Sequence, residues 1–201
     1  MIEVPFLSYE QLKRTAEMTL ESSRSARQIP VDIELLVERD FGIEIIPFRG
    51  LQERFGIDAF ISQDAKSISV DEFVLENRIN RYRFSLAHEL GHRVLHDAIL
   101  KSLSFPTIQA WKSQMSQIPE REYSFLEYQA NTFANCLLLP SKELAESFQR
   151  ALAIVRENGI EPAAHPEVCL DSISTGLGKQ FKVSREAVLN RLKNKFESFE
   201  L

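Results

Sequence analysis

Residues 84–96 read Phe-Ser-Leu-Ala-His-Glu-Leu-Gly-His-Arg-Val-Leu-His, and they hold three of the four histidines in this 201-residue chain. The apolar residues among them recur at helical spacing, which predicts a buried helix. On a helix, His88 and His92 lie one turn apart on the same face, with Glu89 beside the first of them. This H-E-x-x-H arrangement lets two imidazoles share one metal ion. We expect zinc, because imidazole nitrogen suits it and the ion needs no redox chemistry.

The pattern H-E-x-x-H is short and also arises by chance in unrelated helices, so its surroundings decide how it is interpreted. A buried helix must satisfy the polar atoms of two imidazoles and one carboxylate, and a metal ion does this. Gly91 costs the helix about 1 kcal/mol relative to alanine. A close-packed backbone neighbour would explain that cost.

A catalytic zinc site usually has three protein ligands and one open position for water. His96 is a poor third ligand, because it lies eight residues beyond His88, which is about 12 Å along a helix axis. It also fails the longer H-E-x-x-H-x-x-G-x-x-H motif, because Leu95 occupies the glycine position. We therefore expect His96 to support the site or the fold without binding the metal.

A second apolar helix, predicted from Glu120 to Leu138, offers a carboxylate as the third ligand. Glu127 lies on the stripe that the apolar residues of this helix form. Asn131 follows one turn later, where its amide could hold a histidine ring by a hydrogen bond. Glu120, Glu122 and Glu127 also all fit a simpler interpretation, as acidic residues that stabilise a helix N-terminus. Spacing alone does not choose among the three.

The rest of the chain predicts helices around one small three-stranded sheet, and hence an α+β fold. Strands are expected over residues 43–48, 57–62 and 67–71. Residues 105–118, which include Trp111, are expected to form a flap or an insertion with a short helix. Further helices are expected over residues 9–27, 31–40, 77–100, 120–138 and 141–157. Ser8 and Gln11 should form a capping box at the start of the first. Residues 170–196 are expected to form two short helices, of which the second is capped by Ser184.

Composition places the chain among soluble globular proteins of one domain, or of one domain with a small appendage, since 44% of its residues are hydrophobic and 26% are charged. No apolar run is long enough to span a bilayer, and the amino terminus lacks the pattern of a signal peptide. Two cysteines provide no disulfide framework, so we expect a cytoplasmic protein. The net charge of −5 argues against a broad nucleic-acid surface.

Two segments of the chain together resemble the ImmA/IrrE-type metallopeptidases, a gluzincin-like family of bacteria and their mobile elements. The family pattern is an R-F-x-x-A-H-E-x-G-H-x-x-x-H helix followed by E-x-x-A-N-x-F-A-x-x-L-L-x-P. Residues 83–96 supply the first part and residues 127–140 the second. The preceding strands and residues 181–192 are also similar, so the resemblance covers the chain from about residue 30 onward. The departures are modest: Leu139 stands where methionine is frequent, and the stretch between the motifs is somewhat long.

The resemblance implies a zincin-like fold in which Glu127 is the third ligand of Zn²⁺, beside His88 and His92. It also makes Glu89 the general base. We expect Asn131 and His96 to support the ligands by hydrogen bonding. The oxyanion of the reaction needs a further donor. The candidates for that donor are Tyr123, Tyr128, His165 and Arg93.

We divide the chain into three parts on this basis. These are an N-terminal helix (residues 1–30), a zincin-like metallopeptidase domain (residues 31–158) and a C-terminal helical segment (residues 159–201) packed on it or appended to it. The C-terminal segment is locally basic. We expect its cationic residues to lie on a solvated helix face rather than against DNA; among them are Lys179, Lys182, Arg185 and Arg191.

The expected activity is that of a zinc-dependent endopeptidase that hydrolyses a peptide bond in a regulatory protein. By the resemblance, that substrate is a helix-turn-helix repressor or an antitoxin, in a stress response or in mobile-element control. The net charge and the lack of a spanning apolar run argue against direct binding of nucleic acid or membrane. The alternative is a non-catalytic metal-binding partner or regulator module, in a toxin–antitoxin pair or in transcriptional regulation. Intact Glu89 favours the enzyme, since a binding module needs no base beside the metal. A metal hydrolase with a non-peptide substrate is a third interpretation, which no phosphate-binding glycine loop supports.

Overall fold

The computed structural model describes residues 3–23, 28–103, 105 and 107–193. In that part of the chain, eleven α-helices surround one three-stranded sheet, which confirms the predicted α+β fold. A π-helical turn, Leu36–Asp40, continues the second helix. The helices are α1 (Tyr9–Ser22), α2 (Ile33–Leu35), α3 (Leu51–Phe55), α4 (Glu72–Asn77), α5 (Ile79–Leu95), α6 (Asp97–Ser102), α7 (Ile108–Met115), α8 (Glu120–Leu138), α9 (Ser141–Glu157), α10 (Pro166–Phe181) and α11 (Arg185–Lys193).

The sheet has an edge strand next to the histidine helix. Its strands are β1 (Glu44–Phe48), β2 (Ala59–Ile61) and β3 (Ser67–Asp71), in the spatial order β1-β3-β2. The central strand β3 pairs in parallel with β1 and in antiparallel with β2. Helix α5 packs against β2 and β3. The edge strand β2 is therefore held beside the helix that carries His88 and His92.

Helices α5 and α8 pack against each other in the core of the domain. Gly91 lies where they come closest. A Cβ atom at this position would lie 3.1 Å from Cδ1 of Phe133 and 3.2 Å from the carbonyl oxygen of Ala130. The close backbone neighbour that the sequence suggested for this glycine is thus the backbone of α8.

Several boundaries predicted from capping residues are confirmed. Ser8 caps α1 and forms the expected capping box with Gln11. The hydroxyl of Ser184 accepts a hydrogen bond from the N–H of Ala187, in the first turn of α11. The predicted short helix in the 105–118 region is α7. The first helix ends at Ser22, because Ser23 is extended, so its predicted end near residue 27 was too late. Residues 24–27 and the predicted extension of the last helix to residue 196 lie outside the described residues.

Two predicted helices were wrong in their internal structure. The helix expected over residues 77–100 is divided into α4, α5 and α6, because Arg78 and His96 adopt non-helical backbone angles at the two junctions. The helix expected over residues 31–40 is α-helical for one turn and then π-helical. Periodicity of apolar residues does not reveal such breaks, since the apolar face continues across them.

A buried arginine connects the C-terminal helices to the rest of the domain. Arg191 of α11 is 1% exposed and donates hydrogen bonds to the carbonyl oxygen of Leu139 (3.3 Å), to Oγ of Ser141 (2.8 Å) and to the hydroxyl of Tyr9. The prediction that Arg191 lies on a solvated face was therefore wrong. Arg191 follows the buried Val188 by three residues, so it shares the apolar face of its helix.

The described residues also bear on membrane crossing and on the state of the two cysteines. No helix among them combines the length and the apolar character that a membrane crossing requires. Cys136 and Cys169 are both buried as free thiols.

Candidate metal centre

Helices α5 and α8 bring two imidazoles and one carboxylate together. The Nε2 atoms of His88 and His92 are 3.0 Å apart. One carboxylate oxygen of Glu127 lies 3.4 Å from Nε2 of His88, and the other lies 3.6 Å from Nε2 of His92. Donor atoms of the three residues all lie within 4.8 Å of one another. These residues, hereafter the triad, are therefore positioned to bind one metal ion.

The structure separates Glu127 from the other two glutamates at the start of α8. Glu122 accepts a hydrogen bond from the N–H of Val4, at 2.7 Å. Glu120 is exposed in the first turn of the helix. Only the third glutamate of this set faces the histidines, a choice that helical spacing left open.

Burial and hydrogen bonding keep both histidine rings of the triad in the form that binds metal. Nδ1 of His88 lies 3.0 Å from Oδ1 of Asn131. Because that oxygen accepts, Nδ1–H donates and Nε2 keeps its lone pair. Burial lowers the pKa of His88 to about 4 and holds the pKa of His92 well below its usual value. Both rings are neutral at pH 7, as metal binding requires.

His96 lies behind His92, away from the triad carboxylate. Its Nδ1 is 3.0 Å from Nδ1 of His92, and its Nε2 is 3.0 Å from Oε1 of Gln129. Sequence reasoning did not single out Gln129. The available signal was a polar residue beside the apolar stripe of α8, since a buried amide needs partners for its donors and its acceptor.

Glu89 is buried beside the triad and is held by the edge strand. Its Oε2 accepts a hydrogen bond from the N–H of Ile61 in β2, at 3.0 Å. Burial, followed by the charge of Glu127, raises the pKa of the Glu89 carboxyl to about 8, against the opposing effect of the Ile61 N–H. A carboxyl in this range exchanges a proton readily near neutral pH.

Of the four candidate oxyanion donors, Tyr123 alone lines the cleft that holds the triad. Its hydroxyl hydrogen-bonds to Glu127, and burial, followed by the charge of Glu127, raises its pKa to about 12. Tyr128 is 52% exposed and lines a separate depression beside α11. Arg93 pairs with an aspartate of α6, and His165 is exposed at the start of α10. The structure does not bring these last three residues to the cleft.

The triad opens into a cleft of about 270 Å³ with an apolar wall. Strand β2 forms one side of it, and α7 contributes Trp111 and Met115. The rings of Trp111 and Phe60 pack edge to face, with their centroids 5.3 Å apart. The region expected to be a flap or an insertion thus borders the cleft and contacts the edge strand at Phe60.

The donor chemistry of the triad fits a cation such as zinc. Nε2 of His88 faces Nε2 of His92 at 3.0 Å with the Glu127 carboxylate beside them. Since the lone pairs of these atoms face one another, a positive charge among them is strongly favourable. Two imidazole nitrogens and one glutamate oxygen also form a donor set of catalytic zinc sites, which leaves a coordination position open.

Comparison with known proteins relates the chain to one peptidase family. The profile of the Peptidase M78 family, described as the IrrE N-terminal-like domain, matches residues 40–193. No curated protein matches the sequence. A solved structure of a Mycobacterium tuberculosis transcriptional regulator is similar in fold, with a TM-score of 0.56 and 17% sequence identity over 91% of this chain and 46% of that one. This chain therefore spans about half the length of that regulator. Because the family profile matches most of the chain, the protein belongs to the IrrE N-terminal-like peptidase family.

Proposed function

We propose that this chain is a cytoplasmic zinc-dependent endopeptidase that hydrolyses a peptide bond in a regulatory protein, namely a helix-turn-helix repressor or an antitoxin. The observation that carries the proposal is the convergence of His88, His92 and Glu127 beside a buried Glu89 in one cleft. Membership of a peptidase family supports the reaction class. The similar fold of a transcriptional regulator agrees with a regulatory role, and we place that role in a stress response or in mobile-element control.

In this proposal each polar residue of the cleft has a stated task. His88, His92 and Glu127 would hold the zinc ion, which when bound supplies Lewis-acid chemistry for a carbonyl and a water molecule. Glu89 takes the proton of the attacking water as the new C–O bond forms, and passes it to the leaving amine as the C–N bond breaks. Since the N–H of Ile61 occupies Oε2, we assign this proton transfer to Oε1. Positive charge at the triad lowers the pKa of Glu89 towards the range in which it accepts a proton.

Tyr123 is the residue that we assign as oxyanion donor. It lines the cleft, and its hydroxyl already reaches Glu127. Its raised pKa keeps the hydroxyl protonated at neutral pH, so it can donate a hydrogen bond to a developing negative charge.

An extended substrate would pair with the edge of β2 that faces away from β3. In the antiparallel ladder with β3, the N–H of Asp71 bonds to the carbonyl of Asp58, and the N–H of Ser62 bonds to the carbonyl of Ser67. Main-chain groups alternate in direction along a strand, so those of Ala59 and Ile61 point away from β3. Since the N–H of Ile61 bonds to Glu89, the substrate would pair through Ala59 and the carbonyl of Ile61. Addition of a substrate strand here is a known mode of peptide recognition. Peptides with N-methylated main chains should be poor substrates, and their rapid cleavage would contradict this mode.

The metal centre is tested by elemental mass spectrometry of zinc-reconstituted protein. We expect near-stoichiometric zinc in the wild type and little in Glu127→Gln and His92→Ala. Glu122→Gln is the matched control, because it alters a glutamate of the same helix that bonds to Val4 instead of facing the histidines. No zinc in the wild type would refute the peptidase proposal. Zinc retained by Glu127→Gln would mean that the third ligand is wrong.

Proteolysis is tested with purified helix-turn-helix repressors and antitoxins from the genome that encodes this chain. We expect cleavage by the zinc-loaded wild type, no cleavage in EDTA, and a rate about 10²–10⁴-fold lower for Glu89→Gln. The variant should still bind zinc, since Glu89 is not a ligand in this proposal. If wild type and variant bind the partner equally and neither cleaves it, the chain is a regulator module instead.

A further inference from the structure

A chain of hydrogen bonds leads from the N-terminal segment through α8 to the back of His92. Gln129 is 1% exposed, and its side-chain amide makes two bonds. Nε2 donates to the carbonyl oxygen of Pro5 at 2.8 Å, and Oε1 lies 3.0 Å from Nε2 of His96. Nδ1 of His96 in turn lies 3.0 Å from Nδ1 of His92.

The first bond of this chain determines the direction of all the others. A carbonyl oxygen can only accept, so the end of the amide that faces Pro5 must be NH₂ and the end that faces His96 must be the oxygen. Because that oxygen also only accepts, Nε2 of His96 carries a proton and its Nδ1 is an acceptor. The proton between the two rings therefore belongs to Nδ1 of His92. This leaves the lone pair of His92 on Nε2, the atom that lies 3.6 Å from Glu127.

The opposite assignment is incompatible with metal binding. If His96 carried its proton on Nδ1, then Nδ1 of His92 would have to accept, and the proton of neutral His92 would move to Nε2. That proton would point at the triad, and Nε2 could not bind a cation. The choice between the two tautomers of His92 thus depends on an amide that touches neither His92 nor any other member of the triad.

We propose that Gln129 is a positioning residue, which selects the metal-binding tautomer of His92 by fixing the proton of His96. This inference rests on the proposed zinc site for its consequence, but the tautomers themselves can be observed without zinc. Loss of the hydrogen bond that orients a ligand histidine typically lowers metal affinity by about 10–100-fold, and for His92 that bond is the one to His96.

The N-terminal segment anchors this network. The N–H of Val4 bonds to Glu122 of α8 at 2.7 Å, and the side chain of Val4 is buried against Ile118 and Leu126. The carbonyl of Pro5 therefore follows a residue that is itself fixed against α8. Residues before the first helix thereby contribute to the orientation of a residue at the metal centre.

The test is long-range ¹H–¹⁵N NMR of metal-free, ¹⁵N-labelled protein, in which four histidines give a spectrum simple enough to assign. We expect the Nδ1–H tautomer for His92 and the Nε2–H tautomer for His96. In Gln129→Met, which keeps the length of the side chain but removes its polar atoms, both rings should become mixtures of tautomers. In Gln129→Glu, whose protonated carboxyl donates to the carbonyl of Pro5 from one oxygen and accepts from His96 at the other, both should match the wild type.

Zinc affinity, measured by competition with a chromophoric chelator, is the second readout. We expect Gln129→Met to bind zinc about 10–100-fold more weakly and Gln129→Glu to remain within about threefold of the wild type. A purely structural role would leave tautomers and affinity unchanged in Gln129→Met, and that result would overturn the proposal. So would a proton on Nε2 of His92 in the wild type, which needs no substitution and decides the matter even if the methionine variant misfolds. The expected tautomers without zinc binding would sustain this inference and refute the proposed zinc site.

Discussion

Replacement of Gly91 by alanine tests whether the packing of α5 on α8 sets the geometry of the metal centre. The added methyl carbon would lie 3.1 Å from Cδ1 of Phe133, 3.2 Å from the carbonyl oxygen of Ala130 and 3.3 Å from Cα of Ala130. The phenyl ring can turn aside, but the other two atoms belong to the backbone of α8. The two helices must therefore move apart by a few tenths of an ångström.

Two opposing effects determine the size of the change. Alanine in place of glycine stabilises a helix by about 1 kcal/mol. Overpacking of a closed core costs about 1–3 kcal/mol, and backbone contacts favour the upper half of that range because they cannot rotate away. We expect Gly91→Ala to lower the free energy of unfolding by about 1–2 kcal/mol. The same displacement moves Glu127 away from His88 and His92, so zinc affinity should fall by about tenfold, which corresponds to about 1.4 kcal/mol.

Urea unfolding in EDTA measures the first quantity, and chelator competition measures the second. Gly176→Ala is the matched control, since Gly176 is exposed within α10 and a Cβ there would meet nothing within 4 Å. It should raise the free energy of unfolding by about 1 kcal/mol and leave zinc affinity unchanged. A Gly91→Ala protein that is as stable as the control variant, with wild-type zinc affinity, would refute this account of the helix crossing.

Three further predictions concern the buried polar groups. Burial raises the pKa of Glu89 from an ordinary 4.5 to about 8, so the protonated carboxyl stabilises the fold below pH 4.5 and this stabilisation is lost as the pH rises towards 8. In EDTA, the free energy of unfolding of Glu89→Gln should rise by about 3 kcal/mol relative to that of the wild type between pH 5 and pH 8. Urea unfolding that shows no such trend would contradict the raised pKa. Arg191→Met should cost about 3 kcal/mol in urea unfolding, since it removes three hydrogen bonds, one of them to the carbonyl of the buried Leu139. The exposed Arg185→Met should cost less than about 1 kcal/mol, and equal losses would speak against the network of Arg191. Tyr123→Phe should lower kcat for the cleaved repressor by about 10²–10³-fold with little change in KM, and a wild-type kcat would exclude Tyr123 as the oxyanion donor.

Residue type and periodicity were sufficient to predict the two helices that build the site. The stretch around His88 and the bounds of α8 were predicted from apolar spacing, because both helices bury a continuous face. Capping residues such as Ser8 predicted helix starts, since they satisfy backbone donors locally. The choice of Glu127 over Glu120 and Glu122 came from the family resemblance. Only the three-dimensional structure gives the distances from its carboxylate oxygens to the two histidines.

The features that could not be predicted all depend on contacts between distant parts of the chain. Gln129 acts through a carbonyl of Pro5 and a ring on another helix. Arg191 is buried because three acceptors from α1, α9 and the end of α8 surround it. A one-dimensional pattern contains no information on such partners, and it assigns charged residues to the surface because most of them are found there.

The division of the triad between two helices has a consequence for how long the protein persists in a cell. His88 and His92 belong to α5 and Glu127 to α8, with α6 and α7 between them in the sequence. A cation bound by all three would join these helices much as a covalent cross-link does. A ligand that binds only the folded chain, at a free concentration of 100 times its Kd, stabilises that chain by about 2.7 kcal/mol. The abundance of the protein, as well as its chemistry, would then follow the supply of zinc.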